Sequence, residues 1–289
     1  MISKLRKIKN YLKVNKNFYL NSRIINRVDD KITKKVINNE KLSTDLNNLT
    51  EKGYLYFQNF FPEELNKKSF EIINQDKGLF CYDIIKIFEF VNENFYGIIK
   101  DYLGDACLIN YNILNHTKTL EDVSGNWHTD NLGNKINLFI CLQGDGKIPT
   151  AYIPGTHKKN YQTNLFNNLR LVGIKNFEKK EKEIKFCYKK NDCVMFDANG
   201  LHRGVYENDN EKARIVFQME FLNLEKVNKL GFKEQPKFLF FKNSKPAFRK
   251  QPPDEKKFVN PNLIERFSEF DFIKKDFFIQ ERDKFYYYF

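Results

Sequence analysis

Apolar positions along this chain follow two different periods, one after the other. Between residues 62 and 103 they recur at helical spacing, which predicts a helix from Pro62 and a long helix over 80–103 that Gly104 ends. Between residues 106 and 224 short apolar runs alternate with Gly, Asn and Asp turn signals, which predicts strands. The predicted strands are residues 106–114, 135–142, 150–154, 183–188, 192–196 and 213–222. Many short strands with regular turns are typical of a sandwich or barrel, so we expect a mainly β fold with flanking helices.

The same pattern divides the chain into three parts. Residues 1–48 are basic and weakly amphipathic, which predicts a loosely attached helical extension. Residues 49–224 form the predicted central domain, with the helices first and the barrel after them. Within the barrel, the polar and basic insert 158–182 predicts a loop over one rim. Residues 225–289 form a C-terminal extension whose aromatic end we expect to pack on the barrel or on a partner subunit.

The composition indicates a folded domain rather than a disordered chain. Hydrophobic residues make up 41% and aromatic residues 16% of the 289 residues. The net charge of +12 is spread over scattered lysines mixed with glutamates, so we expect a solvated basic surface and no nucleic-acid partner. The five cysteines form no C-x-x-C pair, and no window approaches the ~20 apolar residues of a membrane helix. We therefore expect a cytoplasmic protein without a transmembrane segment.

A histidine and an aspartate lie one residue apart in the turn before the predicted strand 135–142. In the segment Asn126-Trp127-His128-Thr129-Asp130, an extended backbone would point both side chains the same way. An imidazole and a carboxylate held side by side can bind one face of a metal ion. They would supply two ligands of a 2-His-1-carboxylate site. An H-x-D pair alone, however, is more often a pair of polar surface residues.

The third ligand should be a histidine on a neighbouring strand. The chain has four histidines, and His202 is favoured because it follows a predicted strand and a glycine turn. His116 is more consistent with a surface loop, and His157 with an anchor of its turn. Arg214 heads the last predicted strand, where a buried guanidinium needs an anion and suits a carboxylate. A small dicarboxylic co-substrate, bound to the metal at one end and to Arg214 at the other, would meet that need.

Four further residues are candidates for lining the site. Asn137 and Phe139 lie on the strand that follows the H-x-D pair. Tyr111 would line it in one of two registers of its strand, because a shift of one residue reverses the face. Trp127 is more often a packing residue at such a position than a substrate contact. Beyond the metal ligands, the sequence indicates no separate catalytic residue.

These motifs together resemble the phytanoyl-CoA dioxygenase family of Fe(II)/2-oxoglutarate oxygenases. The resemblance rests on Trp127-His128-x-Asp130, then Pro154-Gly155-Thr156-His157, then a late His202 and Arg214. It covers residues 49–222 and leaves both ends of the chain outside. Some relatives carry a serine two residues after the second metal histidine, whereas this chain has Gly204.

The resemblance implies a double-stranded β-helix, the jelly-roll barrel of the cupin type. It implies that Fe(II) is bound by His128, Asp130 and His202, and that 2-oxoglutarate is bound through Arg214. The implied reaction uses O2 to convert 2-oxoglutarate to succinate and CO2 while a C–H bond of the substrate becomes C–OH. Related halogenases have a small residue in place of the triad carboxylate, so Asp130 implies hydroxylation.

Three hypotheses about function follow. The first is a hydroxylase of a small or carrier-bound metabolite. The second is a 2-oxoglutarate oxygenase that acts on a macromolecule, such as methylated nucleic acid or a surface glycan or lipid precursor. The third is a non-catalytic or differently metallated barrel. The sequence does not identify the substrate, and it leaves a monomer and a homodimer equally open.

Overall fold

Helices precede the strand-rich part of the chain, as the sequence predicts. In this computed structural model the structure describes residues 43–74, 81–116, 125, 127–130, 134–158, 182–205, 214–229 and 269–273. The helices within these ranges are α1 (Thr44–Lys52), α2 (Glu63–Asn74), α3 (Cys81–Asn94), α4 (Tyr96–Leu103) and α5 (Leu224–Lys229). The strands are β1 (Tyr54–Phe57), β2 (Ala106–His116), β3 (Lys135–Gln143), β4 (Thr150–Tyr152), β5 (Ile184–Phe186), β6 (Cys193–Asp197), β7 (His202–Gly204) and β8 (Arg214–Asn223).

The strands form two antiparallel sheets, and the chain passes between them. The larger described sheet has the order β1-β6-β3-β8-β2, and the smaller one has the order β5-β4-β7. From β3 in the larger sheet the chain passes through β4 and β5 of the smaller sheet and returns to β6 in the larger one. It then crosses again to β7 in the smaller sheet and ends in β8 of the larger sheet. This is the double-stranded β-helix, so the predicted fold class is confirmed.

Side chains of β3 and β8 alternate between two hydrophobic clusters. Leu138 and Met219 belong to the cluster that packs under the helices, whereas Phe139 and Val216 belong to the cluster between the sheets. Because successive side chains of a strand point to opposite faces, every residue in phase with Phe139 or Val216 faces the barrel interior. The other residues in this phase are Lys135, Asn137 and Cys141 on β3 and Arg214, Gln218, Glu220 and Leu222 on β8.

The helical region differs from the prediction in two places. The long helix predicted over 80–103 is two helices, because Phe95 (φ −125°, ψ −30°) leaves the helical conformation between α3 and α4. The buried Phe95 ring packs against Phe57, Phe60 and Phe90, which stabilises the break. Helix α1 crosses the predicted boundary at residue 48, and two of its leucines are buried in the helix-side cluster.

Part of the C-terminal extension packs on the helix side of the larger sheet. The Phe270 and Phe272 rings stack at 5.4 Å and both contact the ring of Phe88. The amide of Leu108 on β2 donates to the carbonyl of Phe272 at 2.8 Å. Residues 159–181 of the predicted insert 158–182, residues 1–42 and the aromatic C-terminus lie outside the described residues. Among the described helices, none is long and apolar enough to cross a membrane.

Gly53 is required where α1 passes into β1. It ends the helix with φ +84°, and a methyl group there would collide with the side chains of Tyr152 and His157. Gly53→Ala is therefore expected to lower the free energy of unfolding by about 1–3 kcal/mol. Gly97→Ala in α4 is the matched control, because no atom lies within 4 Å of its added methyl group. We expect that control to be neutral or to stabilise by up to about 1 kcal/mol. Urea unfolding of both variants measures the difference, and equal losses would contradict this role of Gly53.

Candidate metal centre

The structure brings the three predicted metal ligands together at one end of the barrel. One ligand atom from each of His128, Asp130 and His202 lies within 4.8 Å of the other two. Both histidines are buried, and Asp130 is partly buried. The two imidazole rings lie 4.3 Å apart between centroids, and Nε2 of His202 is 3.8 Å from Oδ1 of Asp130. Two imidazoles and one carboxylate thus converge from one side, as a facial triad requires.

Backbone hydrogen bonds hold the H-x-D segment beside the turn between β6 and β7. His128 and His202 exchange N–H to carbonyl hydrogen bonds of 3.0 Å in both directions. The amide of Asp130 donates to the carbonyl of Ala198 at 3.0 Å. The segment is therefore extended and pairs with the His202 segment through an antiparallel bridge. This explains why His128 and Asp130 point the same way. Two segments that are distant in sequence, one with His128 and Asp130 and one with Ala198 and His202, must meet here, so the pairing depends on the folded barrel.

His202 is presented as a neutral ligand. Its Nδ1 lies 2.9 Å from the carbonyl of Gly200, which can only accept, so Nδ1 carries the proton and Nε2 keeps its lone pair. Burial, with the neighbouring His128, lowers the pKa of His202 to about 4. The imidazole is consequently uncharged at physiological pH. A metal ligand fixed in one tautomer by a backbone carbonyl is the usual arrangement at protein metal sites.

Asp130 is held as an ionised carboxylate. Burial alone would raise its pKa, but the Lys135 ammonium and the two histidines outweigh that effect and hold the pKa of Asp130 well below its usual range. Lys135 Nζ donates to Oδ2 of Asp130 at 2.9 Å and to Oε1 of Glu220 at 2.9 Å. Burial would lower the pKa of Lys135, yet the two carboxylates raise it above its ordinary value. The site therefore contains a charged chain of Asp130, Lys135 and Glu220.

Arg214 bridges the two sheets in the barrel interior. It is 3% exposed, and its Nη1 donates to the carbonyl of Ile148 at 2.7 Å and to the hydroxyl of Thr150 at 3.3 Å. The guanidinium carbon lies 4.5 Å from the centre of the Tyr188 ring. Burial raises the pKa of Tyr188 to about 12, so the ring is neutral and can support the cation. The guanidinium plane is thus fixed from two sides.

The sheet register places the Arg214 contact and the triad at opposite ends of β7. Thr150, which accepts from Arg214, pairs with Gly204 at one end of β7, and His202 stands at the other end of the same strand. Two residues of strand correspond to about 7 Å at ~3.4 Å per residue. A five-carbon dicarboxylate has a length of this order.

The four predicted lining residues fall in three different places. Asn137 and Phe139 face the barrel interior, and Nδ2 of Asn137 lies 3.4 Å from Oδ2 of Asp130. Trp127 is partly buried beside His128, with the guanidinium of Arg203 at 4.9 Å over its ring. Tyr111 packs against Phe88 and Phe217 in the helix-side cluster.

The position of Tyr111 corrects the expectation that it lines the site. The register of β2 against β8 places Tyr111 opposite Met219, and both side chains belong to the helix-side cluster. The sequence left this register open, because a shift of one residue reverses the face of every side chain. Only the pairing of β2 with β8 decides between the two.

The Pro-Gly-Thr-His segment anchors the turn that carries His202. The Thr156 hydroxyl accepts from the amide of Leu201 at 2.8 Å, and Nε2 of His157 lies 2.9 Å from the carbonyl of Thr50 in α1. These contacts join the helix, the segment and the β6–β7 turn. His157 therefore has a structural place, away from the three metal ligands.

The donor set fits a divalent first-row transition metal such as Fe(II). Neutral imidazole nitrogen and carboxylate oxygen are its usual ligands, and three protein ligands on one face leave other positions open. Asn137 adds a second observation, since its Oδ1 is buried without a hydrogen-bond partner beside Asp130. The residues present are consequently suited to a metal ion with further ligands in the barrel interior.

Sequence reasoning missed Lys135, Glu220 and Tyr188. Lys135 stands at the edge of the predicted apolar strand 135–142, and it shares the phase of Asn137 and Phe139. A lysine at an inward-facing strand position was the available signal, because a buried lysine needs a carboxylate partner. Glu220 carries the same signal on β8. Tyr188 gave none, because its contact with Arg214 depends on how the two sheets face each other.

Comparison with known proteins identifies structural neighbours but no sequence family. No protein-family model matches this sequence, and no curated protein sequence matches it. The epimerase SnoN, solved with Fe3+, alpha ketoglutarate and nogalamycin RO, is 10% identical over 73% of this chain and 92% of its own, with a TM-score of 0.49.

Two further solved structures match this chain. EctD from S. alaskensis, solved with 2-oxoglutarate and 5-hydroxyectoine, is 14% identical over 65% of this chain and 79% of its own, with a TM-score of 0.47. HygX from Streptomyces hygroscopicus, solved with iron, is 11% identical over 63% of this chain and 87% of its own, with a TM-score of 0.46. At these identities and TM-scores, the similarity supports no conclusion about the activity of this chain.

Proposed function

We propose that this protein is an Fe(II)- and 2-oxoglutarate-dependent oxygenase that hydroxylates a small or carrier-bound metabolite. The observation that carries the proposal is the convergence of His128, Asp130 and His202 within 4.8 Å in a double-stranded β-helix. The resemblance of these residues to the phytanoyl-CoA dioxygenase pattern supports the same proposal. The proposal includes a cytoplasmic location, which is expected from the cysteine usage.

Two of the three ligands, His202 and Asp130, are prepared for the metal by their neighbours. His128, Asp130 and His202 would hold Fe(II), which when bound supplies the chemistry that couples O2 to the oxidation of organic substrates. The Gly200 carbonyl keeps the lone pair of His202 on Nε2, and Lys135 keeps Asp130 ionised. His202 and Asp130 therefore need no proton loss before they bind the ion.

Arg214 would bind and orient the co-substrate. Its buried guanidinium can receive the distal carboxylate of 2-oxoglutarate in a two-pronged hydrogen bond, while the 2-oxo acid end lies toward the triad. The separation of about 7 Å along β7 suits that span. Phe139 and Tyr188 line the space between the sheets with aromatic surface, which limits the access of water.

The overall reaction is balanced by O2. One oxygen atom enters succinate as 2-oxoglutarate loses CO2, and the other enters the substrate as C–H becomes C–OH. Asp130 supplies a carboxylate where a halogenase would need a vacant ligand position for chloride. Hydroxylation is therefore the reaction that this triad supports.

The direct test is the optical spectrum of the protein under anaerobic conditions. Addition of Fe(II) and then 2-oxoglutarate is expected to produce a weak visible charge-transfer band, because the 2-oxo acid chelates the metal. Admission of O2 should bleach the band and release succinate. A protein that binds Fe(II) without the band and without succinate would instead be a non-catalytic barrel. Screening of metabolite pools by succinate release then identifies the substrate.

A further inference from the structure

Lys135 is a buried ammonium group placed directly behind a predicted metal ligand. Lys135 is 4% exposed at the first position of β3, in the inward-facing phase. Its Nζ lies 2.9 Å from Asp130 and 2.9 Å from Glu220. A lysine in this place is costly unless both charges and hydrogen bonds are satisfied. Neither the resemblance nor the H-x-D motif assigns it a role.

The two oxygens of Asp130 have different surroundings. Oδ1 lies 3.8 Å from Nε2 of His202, on the side where the three ligand atoms converge. Oδ2 accepts from Nζ of Lys135 at 2.9 Å and lies 3.4 Å from Nδ2 of Asn137. One oxygen is therefore directed to the metal position, and the other is engaged by donors from β3.

Lys135 is itself fixed from behind. Glu220 on β8 accepts from it, and Nε2 of Gln218 donates to the same Glu220 oxygen at 3.0 Å. Glu220 and Gln218 lie in the inward-facing phase of β8, next to β3 in the sheet. The ammonium is thus held by two strands, and the Asp130 carboxylate cannot rotate without breaking its hydrogen bond to Lys135.

We propose that Lys135 is a positioning residue that makes Asp130 a one-oxygen ligand and so keeps a coordination position open on the metal. The inference rests on the proposed metal site. A carboxylate that binds through both oxygens occupies two positions, and an octahedral ion that also holds two histidines and a chelating 2-oxo acid then has none left for O2. With Oδ2 held by Lys135, one position stays available to water and then to O2.

The experiment counts metal-bound water in the Mn2+-loaded protein. Mn2+ is bound to the purified full chain, 2-oxoglutarate is added to saturation, and the relaxation rate of water protons is measured. Wild type is expected to keep the enhanced relaxation of a metal-bound water. Lys135→Met is expected to bind Mn2+ at least as tightly, because a nearby positive charge is gone. Its enhancement with 2-oxoglutarate bound should be lost. Lys135→Arg, which retains a donor and a charge, should restore it.

Two variants separate positioning from folding. Lys135→Met/Glu220→Gln removes the ammonium without leaving a buried unpaired carboxylate, so it should fold and still lose the enhancement. Glu220→Gln alone keeps Lys135 on Asp130 and should retain the enhancement. Retention of the wild-type enhancement in both Lys135→Met variants would overturn the role of Lys135. Failure of the wild type to bind Mn2+ or 2-oxoglutarate would instead overturn the proposed function.

Discussion

Asp130→Ala is expected to lower succinate release from 2-oxoglutarate by about a thousandfold or more, which corresponds to about 4 kcal/mol. The alanine removes the charged ligand of the triad, and it leaves Lys135 beside the metal position without one of its two carboxylate partners. Both changes weaken the binding of a dication. Succinate is measured over time at saturating Fe(II) and 2-oxoglutarate, and Mn2+ affinity is measured by equilibrium dialysis.

His157→Gln is the matched control for Asp130→Ala. His157 is also buried, yet its ring contacts the Thr50 carbonyl and lies outside the ligand group. We expect the control to lose about 1–3 kcal/mol of unfolding free energy and to retain metal binding. If Asp130→Ala released succinate at the wild-type rate, the triad would not be the reaction centre. If His157→Gln abolished metal binding in a folded protein, the ligand assignment would be wrong.

Arg214→Met is expected to raise the 2-oxoglutarate concentration for half-maximal succinate release by about a hundredfold, or about 3 kcal/mol. The methionine keeps an apolar stem beside Tyr188 but cannot donate to a carboxylate. Mn2+ affinity should change little, because the guanidinium contacts Thr150, which pairs with Gly204 at the opposite end of β7 from His202. Titration of succinate release with 2-oxoglutarate, beside Mn2+ dialysis, gives both quantities.

Arg203→Met is the control for the loss of a guanidinium. Arg203 is adjacent to His202 in sequence, but its guanidinium stacks on Trp127 and lies 3.9 Å from Glu183. Its loss should leave the 2-oxoglutarate requirement nearly unchanged. Arg214→Lys should fall between wild type and Arg214→Met, because a lysine keeps the charge without the planar fork. Equal losses of co-substrate and metal affinity in Arg214→Met would contradict a role in binding 2-oxoglutarate.

Local sequence periods predicted the fold closely, except where tertiary contacts override them. The apolar period through residues 80–103 continues across Phe95, so it predicts one helix. The burial of the Phe95 ring among other aromatic side chains instead favours two helices. Helix α1 has a clear cap at Ser43, but the weak apolar face around it concealed the two leucines that pack into the core.

The residues of the candidate site also divide into those that the local sequence predicts and those that depend on tertiary contacts. His128, Asp130, His202 and Arg214 were predictable because each stands in a short motif beside a strand or turn. Lys135 and Glu220 were not, since they are far apart along the chain and meet only through the register of β3 and β8. A pattern read along one strand contains no information about which strand pairs with it.

By itself, the sequence determined the mainly β fold, the three candidate ligands and the candidate co-substrate arginine, because side-chain period and short motifs are local properties. The tertiary structure alone decided that the ligand atoms converge within 4.8 Å, that Tyr111 faces the helices, and that Lys135 stands behind Asp130. Each of these depends on strand pairing and sheet packing between distant residues. Such contacts form only when the chain is folded, so only the tertiary structure shows them.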